Sequence, residues 1–276
     1  MSLQDKAMLV TLNISAWSAR KRDKNVTREV EINHQANDAG NYNKLLIDKS
    51  ALKKLTTIQG KLRDTHYAMT LPWEDKGARL LPSKMYLEYT RKLATLRGEF
   101  DQAVRDFCQG YPMHVKAART RLGSMYDPED YPHVSEIKRK FAAKPFVSPV
   151  PDAKDFRVDL GKQEMETIKN DIRVQMEEKQ IAAMADLWAR LKEVVSRIHD
   201  RLSDPEATFR DSLIENTVFA CSIAEKLNIN DDPKLEELRL LIEGRLCSIP
   251  AQRLRDDKVL RERVASAAGE LLKQFP

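Results

Sequence analysis

Three clusters of cationic side chains are the residues of this sequence whose types and spacing could do chemistry. Arg20, Lys21, Arg22 and Lys24 follow Trp17 in "AWSARKRDK". Lys116, Arg119 and Arg121 recur at helical spacing, and Lys138, Arg139, Lys140 and Lys144 flank Phe141. Ammonium and guanidinium groups gathered on one face neutralise phosphates and release their counterions. An aromatic ring beside them (Trp17, Trp73 or Phe141) could stack on an unpaired base. The chemistry expected is therefore contact with the backbone of DNA or RNA. The plainer reading stands beside it. A basic run on a helix is commonly a solvated face, and a Trp just after an apolar strand is commonly core.

Bond-making chemistry has less to stand on. The nine glycines never cluster, so neither G-x-G-x-x-G nor a P-loop is written here. His34, His66, His114, His133 and His199 form no H-E-x-x-H and no H-x-E paired with C-x-x-C. There is no G-x-S-x-G. The "NDD" at 230–232 reads as a helix cap rather than a cation site, because its charges suit a helix N-terminus. Cys108, Cys221 and Cys247 have neither metal-knuckle nor redox-motif spacing, and their odd number suits a reducing compartment. No catalytic residue, metal ligand or cofactor is assigned, and the chain is expected to be non-enzymatic.

The charge is uneven along the 276 residues. Residues 1–145 carry 26 Lys/Arg against 17 Asp/Glu, a net +9, and residues 146–276 carry 21 against 25, a net −4. A basic half favours polyanions, acidic protein faces or anionic membranes, but charge alone names no partner. No apolar run approaches the ~20 residues that span a bilayer. The first residues lack the apolar core of a signal peptide. A location in the cytoplasm, with no membrane partner, is the expectation.

Positioning these side chains falls mainly to helices. High charge, little Gly and few aromatics favour long solvated helices. Residues 8–14, "MLVTLNI", alternate as a strand does, as do Phe156, Val158 and Leu160 of "FRVDL". A lone strand leaves its backbone groups unpaired, so these two are expected to pair and tie residue ~10 to residue ~158. Helices are predicted over 26–38, over 50–69 with Ser50 as cap, and from Ser83 to about Cys108, where "QGYP" breaks the pattern. Residues 70–83, "TLPWEDKGARLLPS", have no usable period and read as a loop. Two shorter helices follow, at about 112–125 and 133–143. From Gly161 to Ser203 nothing interrupts a helix ~65 Å long. Its Met184, Trp188, Leu191, Val195, Ile198 and Leu202 form a heptad seam, read as core rather than a dimer zipper. "SDPE" then starts an antiparallel partner with Phe209, Leu213, Ala220, Ile223 and Leu227 on its apolar face. Two more helical stretches reach Phe275. The expected fold is mainly α: a helical bundle with one long helix hairpin and a small two-stranded antiparallel β element. A basic N-terminal α(+β) domain is placed over 1–160 and a helical, coiled-coil-like bundle over 161–276.

Several blocks also share the pattern of a known family. "ISAWSARKRDK", "LPWEDKGARLLP", "LGSMYDPEDYP" and "PVPDAKDFRVDL" occur in order across roughly residues 9–160. In these the chain resembles an uncharacterised bacterial and bacteriophage family, a domain of unknown function. The resemblance implies no activity and no catalytic residues. It implies a phage or mobile-element setting, and proximity to MoxR-type AAA+ ATPases and von Willebrand-type partners. Two functions follow as expectations. The first is an accessory protein of a phage or mobile element that binds nucleic acid through its basic half. The alternative is an adaptor or inhibitor that acts on a host protein or an AAA+ machine through its long helices.

Overall fold

The structure is a computed structural model that describes residues 2–155, 158 and 161–276. In chain order the elements are α1 (Leu3–Lys6), β1 (Ala7–Ser15), β2 (Arg20–Arg22), α2 (Lys24–Asn33), β3 (Asn43–Leu45), α3 (Lys49–Ala68), β4 (Leu71–Pro72) and β5 (Arg79–Pro82). They continue with α4 (Tyr86–Leu122), α5 (Val134–Arg139), β6 (Ala142–Pro149), α6 (Lys162–Ser203), α7 (Ser212–Leu227), α8 (Pro233–Ile242), a π-helical turn (Glu243–Cys247), α9 (Ala251–Asp256) and α10 (Lys258–Leu272). The protein is mainly α with a small antiparallel sheet.

The sheet is larger than two strands and uses a partner that the periodicity conceals. Its order is β4-β5-β1-β6. β1 pairs antiparallel with β5, in a register that runs from Ala7 opposite Pro82 to Val10 opposite Arg79. The "TLPWEDKGARLLPS" stretch is thus a short hairpin rather than a loop. Leu80 and Leu81 are both fully buried, so both faces of β5 are covered and no polar residue alternates with them. The expected partner of β1, "FRVDL", falls on residues 156, 157, 159 and 160, which lie outside the described residues; Val158 is exposed and in no strand.

Two compact units are present, each discontinuous in sequence. One comprises Met1–Thr11, Tyr67–Thr90 and Phe146–Pro276; the other comprises Leu12–His66 and Arg91–Pro145. Their divisions fall inside β1, α3, α4 and β6, where the sequence reading places a single cut near residue 160.

The larger unit is organised around α6, a 42-residue helix. α10 and α7 both pack along it. Ala183, Met184, Leu187, Leu191, Val195, Ile198 and Leu202 are buried, so the heptad seam is intramolecular core over this half. Trp188 is half-buried and meets Phe275 edge-on, with ring centroids 6.0 Å apart. His199 is packed rather than solvated: its Nδ1 lies 3.1 Å from the Ala265 carbonyl, and Gly269 leaves room for its ring. The partner helix starts later than "SDPE". Asp204 ends α6, and α7 begins only at Ser212. Its buried face is Ile214, Thr217, Cys221, Ile223, Ala224 and Leu227, so Ile223 and Leu227 fall where expected while Leu213 and Ala220 are one residue out of step. The connection is held by Arg261. Its guanidinium donates to the carbonyls of Arg201, Leu202, Asp204, Pro205 and Ala207, which include those left open by the end of α6.

In the smaller unit α4 carries the core. "QGYP" does not break it: the helix runs from Tyr86 to Leu122 with Pro112 inside. An interior Pro costs roughly 3 kcal/mol in a helix. Packing on both sides offsets this. Tyr111 is buried, donates its hydroxyl to the Pro132 carbonyl at 3.2 Å, and meets Trp17 edge-on at 5.9 Å. Phe100, Phe107 and Ala118 continue the same buried face. Among the described residues no helix is long and apolar enough to cross a membrane.

Candidate nucleic-acid interface

All three basic clusters lie in the smaller unit, and so does the charge. Its two segments hold 22 Lys/Arg against 13 Asp/Glu, a net +9, whereas the larger unit carries 25 against 29. The excess that the sequence assigns to the first half belongs entirely to this one folded body.

The first cluster stands on a two-stranded ribbon. β2 pairs antiparallel with β3, with Arg20 opposite Leu45, Lys21 opposite Lys44 and Arg22 opposite Asn43. The chain turns into this ribbon at Ala19, which is buried and holds φ at +51°. A non-glycine residue in that region carries roughly 1 kcal/mol of strain. Here the corner is locked by the Leu46 N–H, which donates to the Ala19 carbonyl at 2.8 Å.

The register sets two lysines directly across from one another, a pairing that repels. Asp130 resolves it. Lys21 Nζ donates to its Oδ1, and Lys44 Nζ lies 2.6 Å from its Oδ2. Lys44 also donates to the Met125 carbonyl at 2.8 Å and lies 3.6 Å from Asp23. The Asp130 side chain is only 1% exposed and that of Lys44 only 8%. Burial pushes the Asp130 carboxyl up, but the hydrogen bonds and charges of Lys21 and Lys44 outweigh it and hold the group below its usual range. Lys21 is raised, chiefly by its hydrogen bond to Asp130.

Lys21 is thus an anchor. Side chains alternate along a strand, so Arg20 and Arg22 share the face opposite Lys21. Both are exposed, and neither forms an ion pair among the described residues; the same holds for Lys24.

The second cluster joins the first. Arg121, in the last turn of α4, donates to the carbonyl of Leu45, the residue opposite Arg20. Lys116 and Arg119 are exposed on the same helix. The third cluster is set apart. α5 lies beside an earlier stretch of α4: Phe141 packs on Phe100 and Phe107, and the charge of Lys138 reaches Cys108. That stretch is about 20 Å from Arg121 at 1.5 Å per residue. Lys138, Arg139 and Lys140 are exposed at the C-terminal end of α5, where cations also offset the helix dipole.

The rings singled out for base stacking are not available for it. Trp17 packs on Phe107 and Tyr111, Phe141 lies under the aromatic core, and all three of Trp17, Phe141 and Trp73 are below 10% exposed. Trp73 belongs to the larger unit. Aromatic area of this size is buried wherever a core can take it. The exposed ring beside the ribbon is Tyr42, at 42%. It immediately precedes β3 and is pinned by two backbone bonds: its carbonyl accepts from Asp23 N–H, and its N–H donates to the Thr27 hydroxyl. Tyr42, Lys44 and Asp130 carry no signal in the sequence, since their proximity comes from the ribbon register and a distant loop.

Elsewhere the acidic "NDD" acts as structure. Asp232 caps α8 by accepting from Lys234 N–H, and Asp231 pairs with Lys6 at 2.7 Å and Lys84 at 3.0 Å. Among the described residues no three His, Cys, Asp or Glu side chains converge as metal ligands would. Comparison of the chain with protein-family models, with curated proteins and with solved structures gives no match.

Proposed function

We propose that this chain binds nucleic acid through the phosphate backbone, using the face of the β2–β3 ribbon that carries Arg20 and Arg22. The observation that carries this reading is the joining of two basic clusters at Leu45, in a unit whose net charge is +9. Arg20, Arg22 and Lys24 are the leading contacts, with Arg121, Lys116 and Arg119 extending the path along α4. Lys21 holds the ribbon to Asp130 and takes no direct part. Lys138, Arg139 and Lys140 serve a longer ligand, because about 20 Å of helix separates them from Arg121. Tyr42 supplies an exposed ring at the ribbon. Phosphate contacts of this kind carry little sequence information, so selectivity among sequences is low. In line with the family resemblance, the role is that of a non-enzymatic accessory protein of a phage or mobile element, acting in the bacterial cytoplasm.

The test is fluorescence anisotropy with single- and double-stranded DNA and RNA of about 20 nucleotides over a range of salt. Affinity falls steeply with salt, and Arg20→Glu with Arg22→Glu lowers the log–log slope by about one per residue. No binding of any of these probes at 50 mM salt ends the reading.

One observation favours the second reading, an adaptor or inhibitor that acts on a host protein or an AAA+ machine. Met165, Ile168, Ile172 and Met176 continue the α6 seam beyond its buried half and are only half covered. A partner helix laid on that stripe would bury it. Affinity capture that is lost with Ile168→Glu and Ile172→Glu, and kept with the arginine reversals, supports this reading over the first.

A further inference from the structure

Cys221 and Cys247 are far apart in the chain and adjacent in the fold. Cys221 sits on the inner face of α7 and is 1% exposed. Cys247 closes the π-helical turn that follows α8 and is partly open to solvent. α7 and this turn pack directly on each other, which brings the two thiols near enough to perturb one another's titration. Both are free. A π-helical turn holds one residue more than an α turn, which rotates every later side chain by about 100° from its α-helical bearing. The irregular turn therefore sets the direction in which Cys247 faces.

We propose that Cys221 and Cys247 form a two-thiol redox site, oxidised by a hydroperoxide to an intramolecular disulfide. Cys247 reacts first. It is the more accessible of the two, and the neighbouring Cys221 thiol holds its pKa below the ordinary value. Cys221 keeps its proton, because the adjacent Cys247 sulfur and its own burial both push its thiol up. In the first step the Cys247 thiolate attacks one peroxide oxygen and the O–O bond breaks. The departing hydroxide takes up the proton that Cys247 released and leaves as water, and Cys247 becomes a sulfenic acid. In the second step the Cys221 sulfur attacks the Cys247 sulfur. The S–S bond forms, the S–O bond breaks, and hydroxide leaves as water with the proton of Cys221. Two thiols have lost two electrons and two hydrogens, and one hydrogen peroxide has become two waters.

Cys108 is the internal comparator. It lies on α4, burial pushes its thiol up, and it has no thiol partner among the described residues. The experiment treats the reduced full chain with one equivalent of hydrogen peroxide, alkylates the remaining thiols and maps the peptides by mass spectrometry. The expected product has lost two hydrogens, carries its alkyl group on Cys108, and contains a cross-linked peptide joining Cys221 to Cys247. Cys108→Ser gives the same cross-link, while Cys221→Ser leaves a sulfenic acid on Cys247 that dimedone captures. Three alkylated thiols after exposure that oxidises free cysteine, or a cross-link that includes Cys108, overturns the proposal. The peptide map of the unsubstituted chain decides the matter even where a variant folds poorly.

Discussion

In the larger unit Arg261 commits its guanidinium to five backbone carbonyls, Arg239 lies between Glu236 and Glu243, and Arg255 reaches Asp211. In the smaller unit Arg20, Arg22 and Lys24 stand on or beside a ribbon with no carboxylate in ion-pair range among the described residues. Those three arginines serve the fold, whereas Arg20, Arg22 and Lys24 remain at the surface, unpaired among the described residues. The exception proves informative: Asp130 takes up Lys21 and Lys44, the two cations that the register would otherwise set against each other. Net charge alone would count Lys21 with its neighbours, yet the geometry separates an anchor from the side chains left for a polyanion.

The comparison is broken most severely at that anchor. Asp130→Asn leaves the buried Lys44 only the more distant Asp23 as counter-charge and destabilises the protein by about 3 kcal/mol; urea unfolding measures it, and a loss under about 1 kcal/mol would show the network to be incidental. The same carboxylate gives a pH signature. Its folded pKa lies below the unfolded value of about 3.9, so its contribution is complete above pH 4 and fades as pH falls through the lowered folded value. Asp231, held at about 2 by Lys6 and Lys84, adds a second loss between pH about 4 and about 2, in the larger unit. The difference in unfolding free energy between Asp130→Asn and the parent chain should therefore be smaller at pH 3 than at pH 5.

Next in size is Arg261→Ala, which strips the carbonyls at the end of α6 and costs about 2–3 kcal/mol. Arg261→Lys recovers only part, since one ammonium cannot reach the same set of carbonyls. By contrast, Arg20→Glu with Arg22→Glu should change stability by less than about 0.5 kcal/mol while lowering nucleic-acid affinity at least tenfold at low salt. A large stability loss there would erase the distinction between the units.

Smaller effects sharpen it. Gly269→Ala places a methyl group 3.2 Å from the His199 ring and costs about 1 kcal/mol through displaced packing. Ala19→Gly relieves the left-handed corner and should raise stability by about 0.5–1 kcal/mol. If thermal melts show a loss instead, the methyl of Ala19 matters more to the buried corner than its strain does.

Local pattern made much of this legible. The heptad spacing from Met184 to Leu202 required a buried helix face, the alternation in "MLVTLNI" required a strand, and Asp232 before Pro233 required a cap; each depends on residues within a turn or two of one another. The eleven basic positions were legible as exposed, because charged groups seldom enter a core unpaired. Local pattern failed where distant residues decide the outcome. β5 lacks alternation because both its faces are covered, and "QGYP" stays helical because Tyr111 is held from outside α4. The connection between α6 and α7 is held by Arg261, which is remote in sequence.

What the sequence by itself determined is the helical class, the long central helix, and a cationic excess of +9 that no local carboxylates cancel. Only the tertiary structure decided that this excess sits in one unit built from two separated segments, that Lys21 belongs to Asp130 while Arg20 and Arg22 do not, and that Cys221 meets Cys247. The physical reason is the range of the interactions. Periodicity and capping act over a few residues, whereas ion-pair choice and thiol contact depend on which surfaces meet when the chain closes.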